Sequence, residues 1–182
     1  MENISLIVPV LLLCGENSAK GIWNEEAAVR ASHNLLLTLC ERLEIKHVSH
    51  LFTNEQLLSI TITEIKPKLE KSCFKRNPAT LQCFIWILEN TKVWLYYIFL
   101  KWDFVILSNH YFQHPHVDEI LTLVLPITLT LLDDFEASYQ KKGLNAIQHI
   151  LSETVMALCI EVFFSIKYSF HHCLNINLQP DS

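Results

Sequence analysis

Three glycines, at positions 15, 21 and 143, are all that 182 residues provide for the tightest reversals of the chain. A β-sandwich or barrel needs a turn signal every ~8–12 residues, and its tight turns draw heavily on glycine. Six prolines do not close that gap. The chain has to cover its length with elements that reverse direction rarely, and helices do so. The apolar residues, 51% of the total and dominated by Leu and Ile, are ample for a helical core.

Local patterns place the helices. Asn24 is an N-cap candidate ahead of EEAAVRASHNLLLTLCERL, in which Ala27, Ala31, Leu35, Cys40 and Leu43 recur near one face and acids occupy the first turn. Thr53 and Gln56 have capping-box spacing before Leu57, Leu58, Ile62, Ile65 and Leu69, a helix that its β-branched residues and Pro67 weaken. Asn77 as N-cap with Pro78 at the first helical position opens a third helix carrying Leu81, Phe84, Ile85 and Leu88. After Pro115, Ile120, Leu121, Val124, Leu125, Ile127 and Leu131 form a broad apolar surface with a kink expected at Pro126. Asp133 and Asp134 break it, and a helix over Glu136 to Ser152 follows with Tyr139, Leu144, Ile147, His149, Ile150 and Leu151 toward the core. A buried helix, an acidic turn and a helix with a basic residue in its first turns is the layout of a HEAT unit. The expected fold is therefore all-α, a HEAT-like α-solenoid fragment of antiparallel helix pairs.

Repeat spacing divides the chain. Arg30 and Lys141 occupy corresponding helices but stand 111 positions apart, against the roughly 40 to 47 residues of a HEAT unit. Removing the 21 residues Val93 to Gln113 (VWLYYIFLKWDFVILSNHYFQ) leaves 90, or two units of about 45. That segment is rich in aromatics, lacks helical periodicity, starts with a residue whose codons begin GT and ends with one that CAG encodes. It reads as a short intron translated in frame, with a genuine hydrophobic strand or buried helix as the alternative. The expected organisation is HEAT-like helices over 1–92, an atypical hydrophobic insert over 93–113, a HEAT-like helix pair over 114–154 and an irregular tail over 155–182.

Several function classes are excluded. Fourteen Lys and Arg against 19 Asp and Glu give a net charge of −5, with no basic run to neutralise phosphates, so direct nucleic-acid binding is not expected. Cys14, Cys40, Cys73, Cys83, Cys159 and Cys173 contain no C-x-x-C pair and read as reduced, mostly buried thiols. His110, His114 and His116 lack acidic or thiol partners at ligand spacing, and His171 and His172 would diverge, so no metal is expected. No nucleophile elbow, phosphate loop, H-E-x-x-H or dinucleotide fingerprint is present, so neither an enzyme nor a cofactor is expected. Ile4 to Cys14 has the length of a signal-peptide core, but Glu2 precedes it and no small-residue cleavage site follows. The alternative it leaves open is a small secreted or membrane-attached protein. Val93 to Leu107 is interrupted by Lys101 and Asp103 and is too short for a span, so no membrane crossing is expected.

Two strings, IKPKLEKSCFKRNPATLQCFIWIL (Ile65 to Leu88) and VLPITLTLLDDFEASYQKKGLNAIQHI (Val124 to Ile150), resemble the family of the second Tel-two-interacting protein, a subunit of the Triple-T cochaperone complex. The matching residues are Lys66 with Pro67, Asn77 with Pro78 and Ala79, Trp86, Leu125 with Pro126, Asp133 and Asp134 followed by Phe135, then Gly143, His149 and Ile150. The resemblance runs from about Ile22 to Thr154, gives Val93 to Gln113 no counterpart, and covers a middle portion of the family's usual length. It implies a fragment of an α-solenoid, cytoplasmic and nuclear, that joins other Triple-T subunits. It further implies stabilisation of phosphatidylinositol-3-kinase-related kinases together with the Hsp ninety machinery.

Lys66, Pro67, Asn77, Pro78, Trp86, Asp133, Asp134, Phe135, Gly143 and His149 are thus the candidates for partner contact or family motif. Their structural readings are plain. Asp133 and Asp134 suit acceptance of N–H bonds at the next helix start, with Lys141 and Lys142 as possible cationic partners. Phe84 and Trp86 suit a core, and Gly143 inside a helix, costing about 1 kcal/mol relative to Ala, suits close helix packing.

Overall fold

The computed structural model describes residues 4–91 and 115–153. All the regular elements among them are helical: α1 (Ile4–Glu16), α2 (Glu26–Arg42), a 3-10 turn (Val48–Thr53), α3 (Glu55–Leu69), a second 3-10 turn (Glu70–Lys75), α4 (Pro78–Asn90), α5 (Pro115–Leu132) and α6 over 137–153. The proposed insert at 93–113 and the tail at 155–182 lie outside the described residues.

The core forms where consecutive helices stack. α3 packs on α1, α4 and α5, while α1 lies most extensively along α4. This central position explains α3, whose local sequence favours helix only weakly. Leu57, Leu58, Ile62, Ile65 and Leu69 are all at most 3% exposed. Each such burial contributes about 1.5–3 kcal/mol, enough to override β-branching and Pro67 in the last turn. From α4, Leu81, Phe84, Ile87 and Leu88 complete this core, and from α5 Val124, Ile127 and Leu131 do so. The arrangement is an all-α, solenoid-like stack of helices.

α1 uses the segment that suggested a leader or anchor. Val8, Leu11 and Cys14 are buried, and a Cβ on Gly15 would lie 2.5 Å from the Cys83 sulfur and 3.2 Å from the Cys83 Cα of α4. Glycine there lets the two helices approach closely. Polar links run along the same seam, with the Thr80 hydroxyl donating to the Glu16 carboxylate at 3.1 Å and the Gln82 amide donating to the Ser18 hydroxyl at 3.2 Å. No helix among the described residues is long and apolar enough to cross a membrane.

Several local expectations shift. The N-cap of α2 is Glu25, not Asn24. Asn24 instead clasps the preceding loop: its Oδ1 accepts from the Gly21 N–H at 2.8 Å and its Nδ2 donates to Asn17 and Ala19. The cap of α3 is Asn54, whose side chain accepts from the Leu57 N–H at 2.9 Å, while Thr53 donates to the His50 carbonyl. An Asn one position nearer the helix supplies the N-cap that the Thr53/Gln56 pattern suggested. The buried side of α2 carries Ser32, Leu36, Leu39 and Cys40, whereas Ala27, Ala31, Leu35 and Leu43 are exposed. In α6 the buried residues are Gly143, Ala146 and Glu153, with Leu144 and Leu151 outward.

α2 ends in a Schellman motif, with Ile45 N–H bonded to the Cys40 carbonyl and Glu44 N–H to that of Glu41. Glu44 takes φ 55°, a left-handed position usually given to glycine.

Candidate functional site

The turn between α5 and α6, residues 133–136, gathers more of the sequence candidates than any other part of the described structure. Leu131 is buried at the end of α5, and the chain then presents Asp133, Asp134, Phe135 and Glu136 in succession. Asp134 turns inward: its Oδ1 accepts from the Glu136 N–H at 2.8 Å, closing an Asx-type turn just before α6 begins. The expectation that these acids serve the helix start holds for Asp134, while Asp133 stays exposed.

The cation facing this turn is Lys75, at the end of the 3-10 turn that joins α3 to α4. Its Nζ stands 2.9 Å from Asp134 Oδ2 and 2.9 Å from Glu136 Oε1. It also lies 4.0 Å from the centre of the Phe135 ring and 5.5 Å from that of Tyr139. Next to it, Phe74 is fully buried and meets Tyr139 edge to face at 4.9 Å. Two consecutive residues of one inter-helix turn thus grip the next helix hairpin through charge and through aromatic contact.

These contacts set the protonation states. Burial pushes the Asp134 carboxyl upward, but the Glu136 N–H and the Lys75 ammonium outweigh it and hold the pKa below its ordinary 3.8. Hydrogen bonds to Glu136 and Asp134 raise that of Lys75 above 10.5. Asp134 and Lys75 are therefore both charged throughout the neutral range.

Sequence reasoning missed Lys75. Its only sequence signal was the basic pair Lys75 and Arg76 ahead of Asn77-Pro78, and nothing local ties that pair to acids 59 positions away. Of the lysines considered instead, Lys142 lies 5.8 Å from the Tyr139 ring and Lys141 is exposed.

The remaining candidates sit around this cluster or apart from it. Gly143 is buried against α5, and a Cβ there would lie 2.8 Å from the Leu132 backbone nitrogen, so close packing accounts for glycine within α6. His149 Nε2 donates to the Thr91 carbonyl at 3.3 Å, tying α6 to the end of α4. Asn77 occupies the N-cap position of α4 with Pro78 following, yet its amide donates back to the Cys73 and Lys68 carbonyls at 2.9 and 3.1 Å instead of capping. Lys66 stands 3.9 Å from Glu70, and Pro67 is exposed. Trp86 is separate: half-buried, edge to face with Phe52 at 5.7 Å, it forms one wall of a 470 Å³ cleft between α1 and α2 that Arg30 and His33 also line.

The thiols Cys14, Cys40, Cys73 and Cys83 are free. Burial raises the pKa of Cys14 and Cys40 and, with the Glu16 carboxylate nearby, pushes Cys83 up to about 12. Cys14, Cys40 and Cys83 are therefore protonated and poorly nucleophilic at neutral pH. Among the described residues no group of three or more His, Cys, Asp or Glu is placed to hold a metal ion. The histidines weighed as ligands lie outside the described side chains.

Comparison with known proteins bears out the family resemblance. The chain is 25% identical over 149 residues to TELO2-interacting protein 2 of Homo sapiens, covering 79% of this chain and 25% of that protein. It is 22% identical over 179 residues to TELO2-interacting protein 2 of Mus musculus, covering 95% of this chain and 30% of that protein. The chain thus spans less than a third of the length of these curated relatives. No family model matches it, and no solved structure does.

Proposed function

We propose that this chain acts as part of a non-catalytic helical-repeat scaffold within a Triple-T-type cochaperone complex. In this reading it contributes a surface for TELO2 and for the other Triple-T subunits. The assembled complex stabilises newly made phosphatidylinositol-3-kinase-related kinases together with the Hsp ninety machinery, in the cytoplasm and nucleus. No cofactor, nucleic acid or membrane takes part. The observation that carries the reading is the similarity to TELO2-interacting protein 2 over most of the chain. The stacked helices support it, since such an array offers extended surface without a catalytic cleft.

The test is recovery of TELO2 by the tagged full chain from cells, with circular dichroism of the purified chain as a folding control. TELO2 and further Triple-T subunits are expected in the bound fraction. Their absence alongside a normal helical spectrum counts against the proposal. Fractionation is expected to leave the chain out of membrane and secreted material.

A further inference from the structure

We infer that the α5–α6 turn is a docking knob, with Phe135 as an aromatic anchor for an apolar pocket rimmed by Lys or Arg on a partner protein. Phe135 is 87% exposed, although the turn around it is tightly built. Asp134 is turned inward and paired, and Leu131 and Gly143 are buried on either side. The fold therefore spends structure on holding the turn and leaves its largest apolar side chain outside.

The ring is presented rather than loose. The Lys75 ammonium lies 4.0 Å from its centre, and that ammonium is itself fixed by two carboxylates at 2.9 Å. A side chain ordered before binding loses less entropy on docking. Leu129 and Leu132, 53% and 36% exposed, share a face in the last turn of α5, just before the turn that carries Phe135. An aromatic anchor bordered by polar groups is the anatomy of an interface hot spot.

Charge selects the occupant. Asp133, Asp134 and Glu136 place three carboxylates in or beside the turn; the Lys75 ammonium pairs with Asp134 and Glu136, and Asp133 and Glu136 are the exposed ones. A partner with basic side chains around an apolar pocket meets both features, whereas an acidic rim is repelled. The inference rests on the scaffold reading but not on TELO2 as the partner.

The test places p-benzoyl-phenylalanine at position 135 of the full chain, with position 151 on α6 as an exposed control, and irradiates cells. Position 135 is expected to crosslink one protein at a peptide with apolar residues beside Lys or Arg. The product should disappear when Asp133→Lys and Glu136→Lys are added. No product, the same products from both positions, or a crosslink to a second copy of this chain overturns the proposal.

A second measurement uses purified TELO2. If TELO2 is the partner, Phe135→Ala weakens binding by about tenfold or more, with melting unchanged, and Phe135→Tyr retains it. Unchanged affinity in Phe135→Ala, with TELO2 bound, overturns the knob and leaves the proposed function standing. A specific crosslink from position 135 to a protein outside the Triple-T complex, with TELO2 and the other Triple-T subunits unbound, supports the knob on a scaffold and removes the Triple-T role.

Discussion

α2 and α3 have opposite fates for helices of similar length. α2 shows the cleaner alternation of apolar and polar residues, yet it lies at the side of the stack, packs mainly on α1, and leaves Leu35, Leu37 and Leu43 exposed. α3 carries β-branched residues and an internal proline, yet it contacts α1, α4 and α5 and buries nearly all its large apolar side chains. Amphipathic patterning marks a helix with one covered face, whereas a helix in the middle of a stack is covered on several. Local helical quality and contribution to the core therefore run in opposite directions here.

Substitutions test how far that contrast extends. Ile62→Ala in α3 is expected to cost about 2–5 kcal/mol, because the site is closed on several sides and cannot collapse. Leu37→Ala in α2 should stay within about 0.5 kcal/mol, as an exposed position does. Chemical denaturation of both variants measures the difference, and equal losses would mean that α2 is as integral as α3.

Between α5 and α6 the contrast concerns backbone approach. Gly143→Leu is expected to destabilise by about 3 kcal/mol, since the obstacle is the Leu132 backbone rather than a movable side chain. Even Gly143→Ala should lower the melting temperature, against the usual gain of about 1 kcal/mol for Gly to Ala in a helix.

A smaller effect separates the two regions by pH. Asp134 has its pKa lowered in the folded state, so its contribution is complete above the ordinary 3.8 and is lost as pH falls through the folded value. Lys75 has its pKa raised, so its contribution is complete below 10.5 and lost as pH climbs through the folded value. Melting temperatures across the acid range should fall less steeply in Asp134→Asn than in the wild type. Glu26→Gln, which removes the exposed α2 pair with Arg30, should change the melting temperature at neutral pH little. The smallest gain is at the end of α2, where Glu44→Gly relieves a left-handed residue and should add about 1 kcal/mol.

Much of the architecture was legible because helix formation is local. Pro78 at the first helical position, the apolar set of α3 and the break at Asp133 and Asp134 all depend on residues within a turn or two of one another. The caps were off by one where neighbouring polar residues compete. Asn54 caps instead of Thr53, and Asn24 is drawn into the loop at residues 17–24. The site was half legible: Asp134, Phe135, Gly143 and His149 belonged to a recognisable string, but their partners did not.

The scarcity of glycine determined by itself that the chain folds into helices, because it removes the turns that other architectures need. It could not show what the glycines do. Two of the three sit where helices touch, Gly15 against Cys83 and Gly143 against Leu132, and no turn depends on them. Only the stack decided that, as it decided which side of α2 is covered and that Lys75 answers Asp134. Helical periodicity fixes neighbours three and four residues apart, while contacts across 59 positions exist only once whole hairpins have packed.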